Sequence, residues 1–98
     1  MNNWNEVIDQ IEYYKNYEIY DYEDEERPSD KAIFNVLKLI LKISEGPPPL
    51  RIVPAGDNSL ALEWKSGDLF ETINVYEDKI DHILFRDCKI VDRYYLVI

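Results

Sequence analysis

The chain has 98 residues, of which 46% are hydrophobic and 32% charged, with a formal net charge of −9. That length predicts one domain over residues 1–98, and the apolar content excludes wholesale disorder. The acidity argues against direct binding to nucleic acid or an anionic membrane surface, because both repel a negative field.

The first predicted element is an amphipathic helix over about residues 4–16, "WNEVIDQIEYYKN". Trp4, Val7, Ile8, Ile11 and Tyr14 recur at helical spacing on one side. Glu6, Asp9, Tyr13 and Asn16 take the other, and Asn3 stands where an N-cap belongs.

"YEIYDYEDEERP" follows. Six of its twelve residues are acids: Glu18, Asp21, Glu23, Asp24, Glu25 and Glu26. Tyr17, Tyr20 and Tyr22 are interleaved with them. Residues 1–30 hold ten acids against two bases, whereas residues 31–98 hold ten against nine, so the excess charge belongs to this first third.

A second helix is predicted from Ser29, a good N-cap, with Asp30 complementing the helix dipole. In "KAIFNVLKLILKIS" the core face is Ile33, Val36, Leu37, Ile40 and Leu41, widened by Phe34, Leu39 and Ile43. Lys31, Lys38 and Lys42 mark the wet side. Gly46 and the run Pro47-Pro48-Pro49 stop the helix.

From Leu50 the apolar period becomes two. "LRIVPA" reads as a short strand, and Pro54 marks a sheet edge or the strand's end. "GDNS" is a turn. "LALEWK" puts Leu60, Leu62 and Trp64 on one face and Ala61, Glu63 and Lys65 on the other. "LFETINVYE", "IDHILF" and "IVDRYYLVI" read as further strands, separated by "SGD", "DK" and "RDCK". The last two could be strands or a short helix, since "DRYYLVI" has no clear register, and their Tyr, Val and Ile content favours strands. The expected fold is α+β: two N-terminal helices packed on an antiparallel meander of four or five strands.

Pro28-Ser29, Pro49, Ile52, Pro54, Gly56-Asp57 and Leu62-Glu63-Trp64 together resemble small bacterial proteins of unassigned function. In those, a helix and a Trp-Asp-Gly-like bend precede a Pro-Ser helix start, a proline-flanked strand and a strand ending Leu-Glu-Trp. Here Tyr20-Asp21-Tyr22 replaces the Trp-Asp-Gly element. The resemblance covers about residues 4–77. It implies a bacterial or phage origin and a helix-helix-sheet order, and it carries over no catalytic residue.

The sequence points to no reaction. The sole histidine, His82, and the sole cysteine, Cys88, read as a satisfied strand histidine and a small inert thiol rather than as a catalytic pair. Glu63, Glu71 and Asp81 read as exposed strand carboxylates, Glu63 paired across strands with a lysine. No metal-ligand spacing or phosphate-cradling glycine loop occurs, so neither metal nor cofactor is expected. One cysteine, no leader pattern and no apolar run of the about 20 residues that span a bilayer favour the cytoplasm.

The expectation is therefore a non-catalytic protein-binding module of inhibitor, antitoxin, immunity or adaptor type. Its contact residues would be Tyr17, Glu18, Tyr20, Asp21, Tyr22, Glu23, Asp24, Glu25 and Glu26, docking on a basic protein surface together with the outer side of the first helix. The alternative is a nucleic-acid mimic, similar to the phage inhibitors of the anti-CRISPR and anti-restriction class. A solvated loop is the plain reading of the same run. The apolar end "YYLVI" also invites homodimerisation as an edge strand.

Overall fold

A computed structural model describes residues 3–16 and 28–97. Helix α1 spans Trp4–Asn16 and α2 Asp30–Ile43. Five strands follow: β1 Arg51–Pro54, β2 Leu60–Ser66, β3 Leu69–Val75, β4 Lys79–Arg86 and β5 Lys89–Val97. They form one antiparallel sheet in the order β1-β2-β3-β4-β5. The expected α+β architecture is thus the observed one, with five strands and with β5 extended throughout.

Both helices start on their expected caps. Asn3 Oδ1 accepts from the Glu6 amide at 2.9 Å, and Ser29 Oγ from the Ala32 amide at 3.1 Å. The Ser29 amide donates to Asn58 O at 2.9 Å, which fastens the start of α2 to the β1–β2 turn. At the other end of α2, two indoles hold the chain as it leaves the helix. Trp4 Nε1 donates to Gly46 O and Trp64 Nε1 to Pro47 O, each at 3.0 Å. Pro49 is fully buried just beyond. The prolines end the helix, and the indoles then fix the angle at which the chain enters β1.

The register sorts the sheet residues into cross-strand rows. On the helix side one row runs Pro54, Leu60, Val75, Ile80, Leu96, and the next Ile52, Leu62, Ile73, His82, Tyr94. The apolar members of these rows meet Val7, Ile11 and Tyr14 of α1 and Ile33, Val36 and Ile40 of α2 in one core. Helix α1 packs on β1 and on α2, and α2 packs on β2 and β3. The helices stop there. Tyr94 and Leu96, at the β5 ends of the same rows, are about half exposed.

The apolar stripe of α2 is rotated from the expected position. Leu41 is 82% and Phe34 60% exposed, while Ala32 and Asn35 are buried. The reason is Asn35. Its Nδ2 donates to Tyr76 O and Glu77 O, each at 3.0 Å, and so ties α2 to the β3–β4 turn. A buried amide with two carbonyl partners turns its own side of the helix toward the sheet. Lys38 then lies over the outward Phe34 ring at 5.6 Å. Tyr14 makes the corresponding tie for α1, donating from its buried hydroxyl to Ile52 O at 3.0 Å.

The β4–β5 turn places Asp87 and Cys88 both at positive φ, 51° and 65°. Two such residues in a two-residue loop match the right-handed twist of the flanking strands, but a side chain at the second position is strained there. Cys88→Gly is expected to raise stability by about 1 kcal/mol, read from the urea midpoint. Asn35→Ala is expected to lower it by about 1–3 kcal/mol, since the two hydrogen bonds from this buried side chain are lost. A change below about 0.5 kcal/mol in Asn35→Ala would remove the proposed role of that amide in setting the helix rotation.

Candidate functional site

The residues expected to bind a partner, Tyr17, Glu18, Tyr20, Asp21, Tyr22, Glu23, Asp24, Glu25 and Glu26, lie outside the described residues. Their neighbour α1 is described. It turns Glu6, Asp9, Glu12 and Tyr13 outward, while Val7, Ile11 and Tyr14 go into the core. Tyr14 is therefore a core residue, whereas Tyr13 is 49% exposed. Asp9 and Glu12 form no ion pair among the described residues. The acidic character of the first third thus continues as a one-sided face along α1.

Glu63, Glu71 and Asp81 of the sheet behave differently, because cross-strand neighbours answer them. Glu63 bonds Arg51, its direct partner across β1–β2, so its partner is an arginine and not a lysine, and its side chain is mostly buried. Asp81 is buried rather than exposed. It accepts from Arg93 Nε at 3.1 Å and Nη2 at 2.8 Å in a bidentate pair. That hydrogen bond, and after it the opposing loss of hydration, leaves the guanidinium pKa raised. The Arg93 guanidinium also lies 5.1 Å from the Tyr95 ring centre, and the Lys79 ammonium 5.0 Å from that of Tyr76 and 5.6 Å from that of Tyr95. Long side chains thus roof the far side of the sheet, where no described helix sits.

On the helix side, beyond the helices, one polar cluster crosses three strands. His82 on β4 bonds Glu71 of β3 through Nε2 and the Tyr94 hydroxyl of β5 through Nδ1. An ionised carboxylate only accepts, so in the neutral ring Nε2 carries the proton and Nδ1 accepts from Tyr94. The two rings meet edge to face at 4.6 Å. Burial, followed by the nearby negative charges of Glu71 and Asp92, pushes the Tyr94 phenol to a higher pKa. That is the reverse of what activates a nucleophile. The cluster resembles a Glu-His-hydroxyl relay in connectivity, yet its electrostatics hold the proton on the phenol. Cys88 is exposed in the β4–β5 turn, and both His82 nitrogens are taken, so no Cys-His pair forms.

Beside the cluster, Pro47, Pro48, Leu50, Trp64, Leu69 and Leu84 wall an open groove of about 410 Å³, with Lys65 and Glu71 at its polar margin. Trp64 belongs to both groove and core, since it packs on the core cluster while its indole holds the Pro47 carbonyl. Among the described residues, no group of three or more His, Cys, Asp or Glu side chains is gathered to hold a metal ion. No described helix is long and apolar enough to cross a membrane. Comparison with protein-family models, curated proteins and solved structures found no match.

The cluster escapes a linear reading of the sequence because Glu71, His82 and Tyr94 are brought together by two registers. The visible signal is the shared face: each falls on the helix-side alternation of its strand. Tyr94→Phe is expected to cost up to about 1 kcal/mol at neutral pH. Because the folded state raises the phenol pKa, the benefit is complete below the ordinary tyrosine value of about 10 and is lost as pH climbs through the higher folded value. Urea melts of the two proteins should therefore differ at neutral pH and converge in strong alkali. A gap that widens with pH would contradict the assigned direction.

Proposed function

We propose that the chain is a small acidic, non-catalytic protein-binding module that docks on a basic protein surface through α1 and the acidic tyrosine run after it. The observation that carries this reading is the contrast between two sets of carboxylates. Glu63, Glu71 and Asp81 of the sheet are held by Arg51, His82 and Arg93 from neighbouring strands, whereas Asp9 and Glu12 on the outer face of α1 are exposed and form no ion pair among the described residues. A field left one-sided in this way speeds encounter with a cationic partner. Tyr13 on the same face, with Tyr17, Tyr20 and Tyr22 further along, adds rigid contact area at low entropic cost. Inhibitor, antitoxin, immunity and adaptor proteins all work by such occupation of a surface. Mimicry of a nucleic-acid backbone is a narrower version of the same electrostatics.

The test is capture from host lysate, followed by kinetics on whatever basic protein is retained. Asp9→Lys with Glu12→Lys is expected to slow association at least about tenfold, because steering is lost. Tyr20→Ala or Tyr22→Ala is expected to speed dissociation. A partner displaced by DNA, with affinity falling steeply between about 50 and 200 mM salt, identifies the mimic. Retention that ignores both the charge reversal and the tyrosine changes would defeat the proposal.

A further inference from the structure

The sheet has two unlike edges. β1 is four residues long, ends in Pro54 and lies under α1. Those are the usual protections of an edge strand. β5 is nine residues long, and among the described residues nothing pairs with its outer side. Ile90, Val91, Tyr94, Tyr95 and Leu96 on it are all about half exposed.

The backbone of β5 is oriented to continue the sheet. The Arg93 amide donates to its neighbour's Asp92 carboxylate at 2.9 Å. That amide therefore points to the open edge, not to β4. Alternation then directs the Tyr95 amide the same way, while Tyr94 and Leu96 complete the ladder with β4. Upstream, the two-residue turn and the bulge between Leu84 and Phe85 set the same phase.

We propose that β5 pairs antiparallel with β5 of a second copy, about a two-fold axis at Tyr94, to give a continuous ten-stranded sheet. Such an axis keeps each residue opposite one of its own face, so the centre falls on a residue and not between two. Centring on Asp92 sets carboxylate against carboxylate, and centring on Arg93 sets guanidinium against guanidinium. Both are unfavourable directly across a pair. Centring on Tyr94 sets the two Tyr94 rings together and Arg93 opposite Tyr95 of the second copy, twice by symmetry. Arg93 already lies over its own Tyr95, so the pairing extends a cation–aromatic stack. Arg93 and Tyr95 of each copy exchange backbone hydrogen bonds, and a carbonyl takes the place of the Asp92 carboxylate on the Arg93 amide.

The charge carried by β5 permits a second copy at this edge. A chain of net −9 repels itself, but the excess lies in residues 1–30, and β5 carries Lys89 and Arg93 against Asp92. Helix α1 sits over the opposite edge. In a ten-stranded sheet the two β1 strands stand about 43 Å apart, from a strand spacing of about 4.8 Å. That is several times the screening length of about 8 Å at physiological salt.

Sedimentation of the full chain across a micromolar dilution series tests this, combined with amide exchange at two concentrations. The expected result is a concentration-dependent dimer in which the Arg93 and Tyr95 amides exchange on the order of tenfold more slowly than in the monomer. Tyr95→Pro should stay folded by circular dichroism, since its amide serves no bond to β4, and should be monomeric. Leu96→Asp is the second variant: it sets a carboxylate directly against Asp92 of the second copy, weakening the dimer without touching the backbone. A wild-type monomer throughout the series would overturn the proposal. So would a dimer in which both amides exchange at the monomer rate, or one that survives in folded Tyr95→Pro.

Discussion

Register is the constraint from which the other features follow. Once Leu62 stands opposite Ile73, Leu60 falls against Val75, and both rows present a continuous apolar strip to the helices. Two of the helix-side rows change character where the helices end. Ile52, Leu62 and Ile73 give way to His82 and Tyr94 in one, and Trp64 to Glu71, Leu84 and Asp92 in another. The apolar part cannot slip by one residue without moving a whole strip to the other face. It therefore also fixes the polar part. The Glu71-His82-Tyr94 cluster is built by packing that takes place two strands away.

The helices are fastened to this sheet by polar ties at its margins. Tyr14 to Ile52, Asn35 to Tyr76 and Glu77, Ser29 to Asn58, and the two indoles to Gly46 and Pro47 all join a helix or its end to a turn or edge. Apolar burial is non-directional and would let α2 rotate on the sheet. Hydrogen bonds to specified carbonyls do not. A helix with leucines on three sides needs such ties to acquire a single rotation, and Asn35 supplies the decisive one.

This explains which parts were legible in the sequence. Alternation in β2 and β3, the caps Asn3 and Ser29, and the extent of α1 depend on neighbours in the chain, and each was readable there. The rotation of α2 was not, because Leu37 and Leu41 on one flank are as apolar as Leu39 and Ile43 on the other. Periodicity cannot choose between them, and the lone Asn35 inside the run was the overlooked cue. The burial of Asp81 was likewise hidden, since it needs Arg93 from the next strand to lie across it. The acidic tyrosine run is plain as composition, and its flank on α1 faces outward, but residues 17–26 are outside the described residues.

The protein therefore separates two kinds of surface along one sheet. At the β1 edge, α1 covers the strand and turns Asp9 and Glu12 outward. At the β5 edge, charges nearly cancel, aromatic and aliphatic side chains stand on both faces, and outward amides lack strand partners among the described residues. Like-charge repulsion decays over about 8 Å at physiological salt, whereas strand pairing acts at contact. Asp9 and Glu12 stand on the helix that covers the far edge, while the charges along β5 nearly balance. The same acids moved onto β5 would lie within one screening length of a second copy and oppose the pairing. On this argument the position of the charge, more than its amount, determines what each edge can meet.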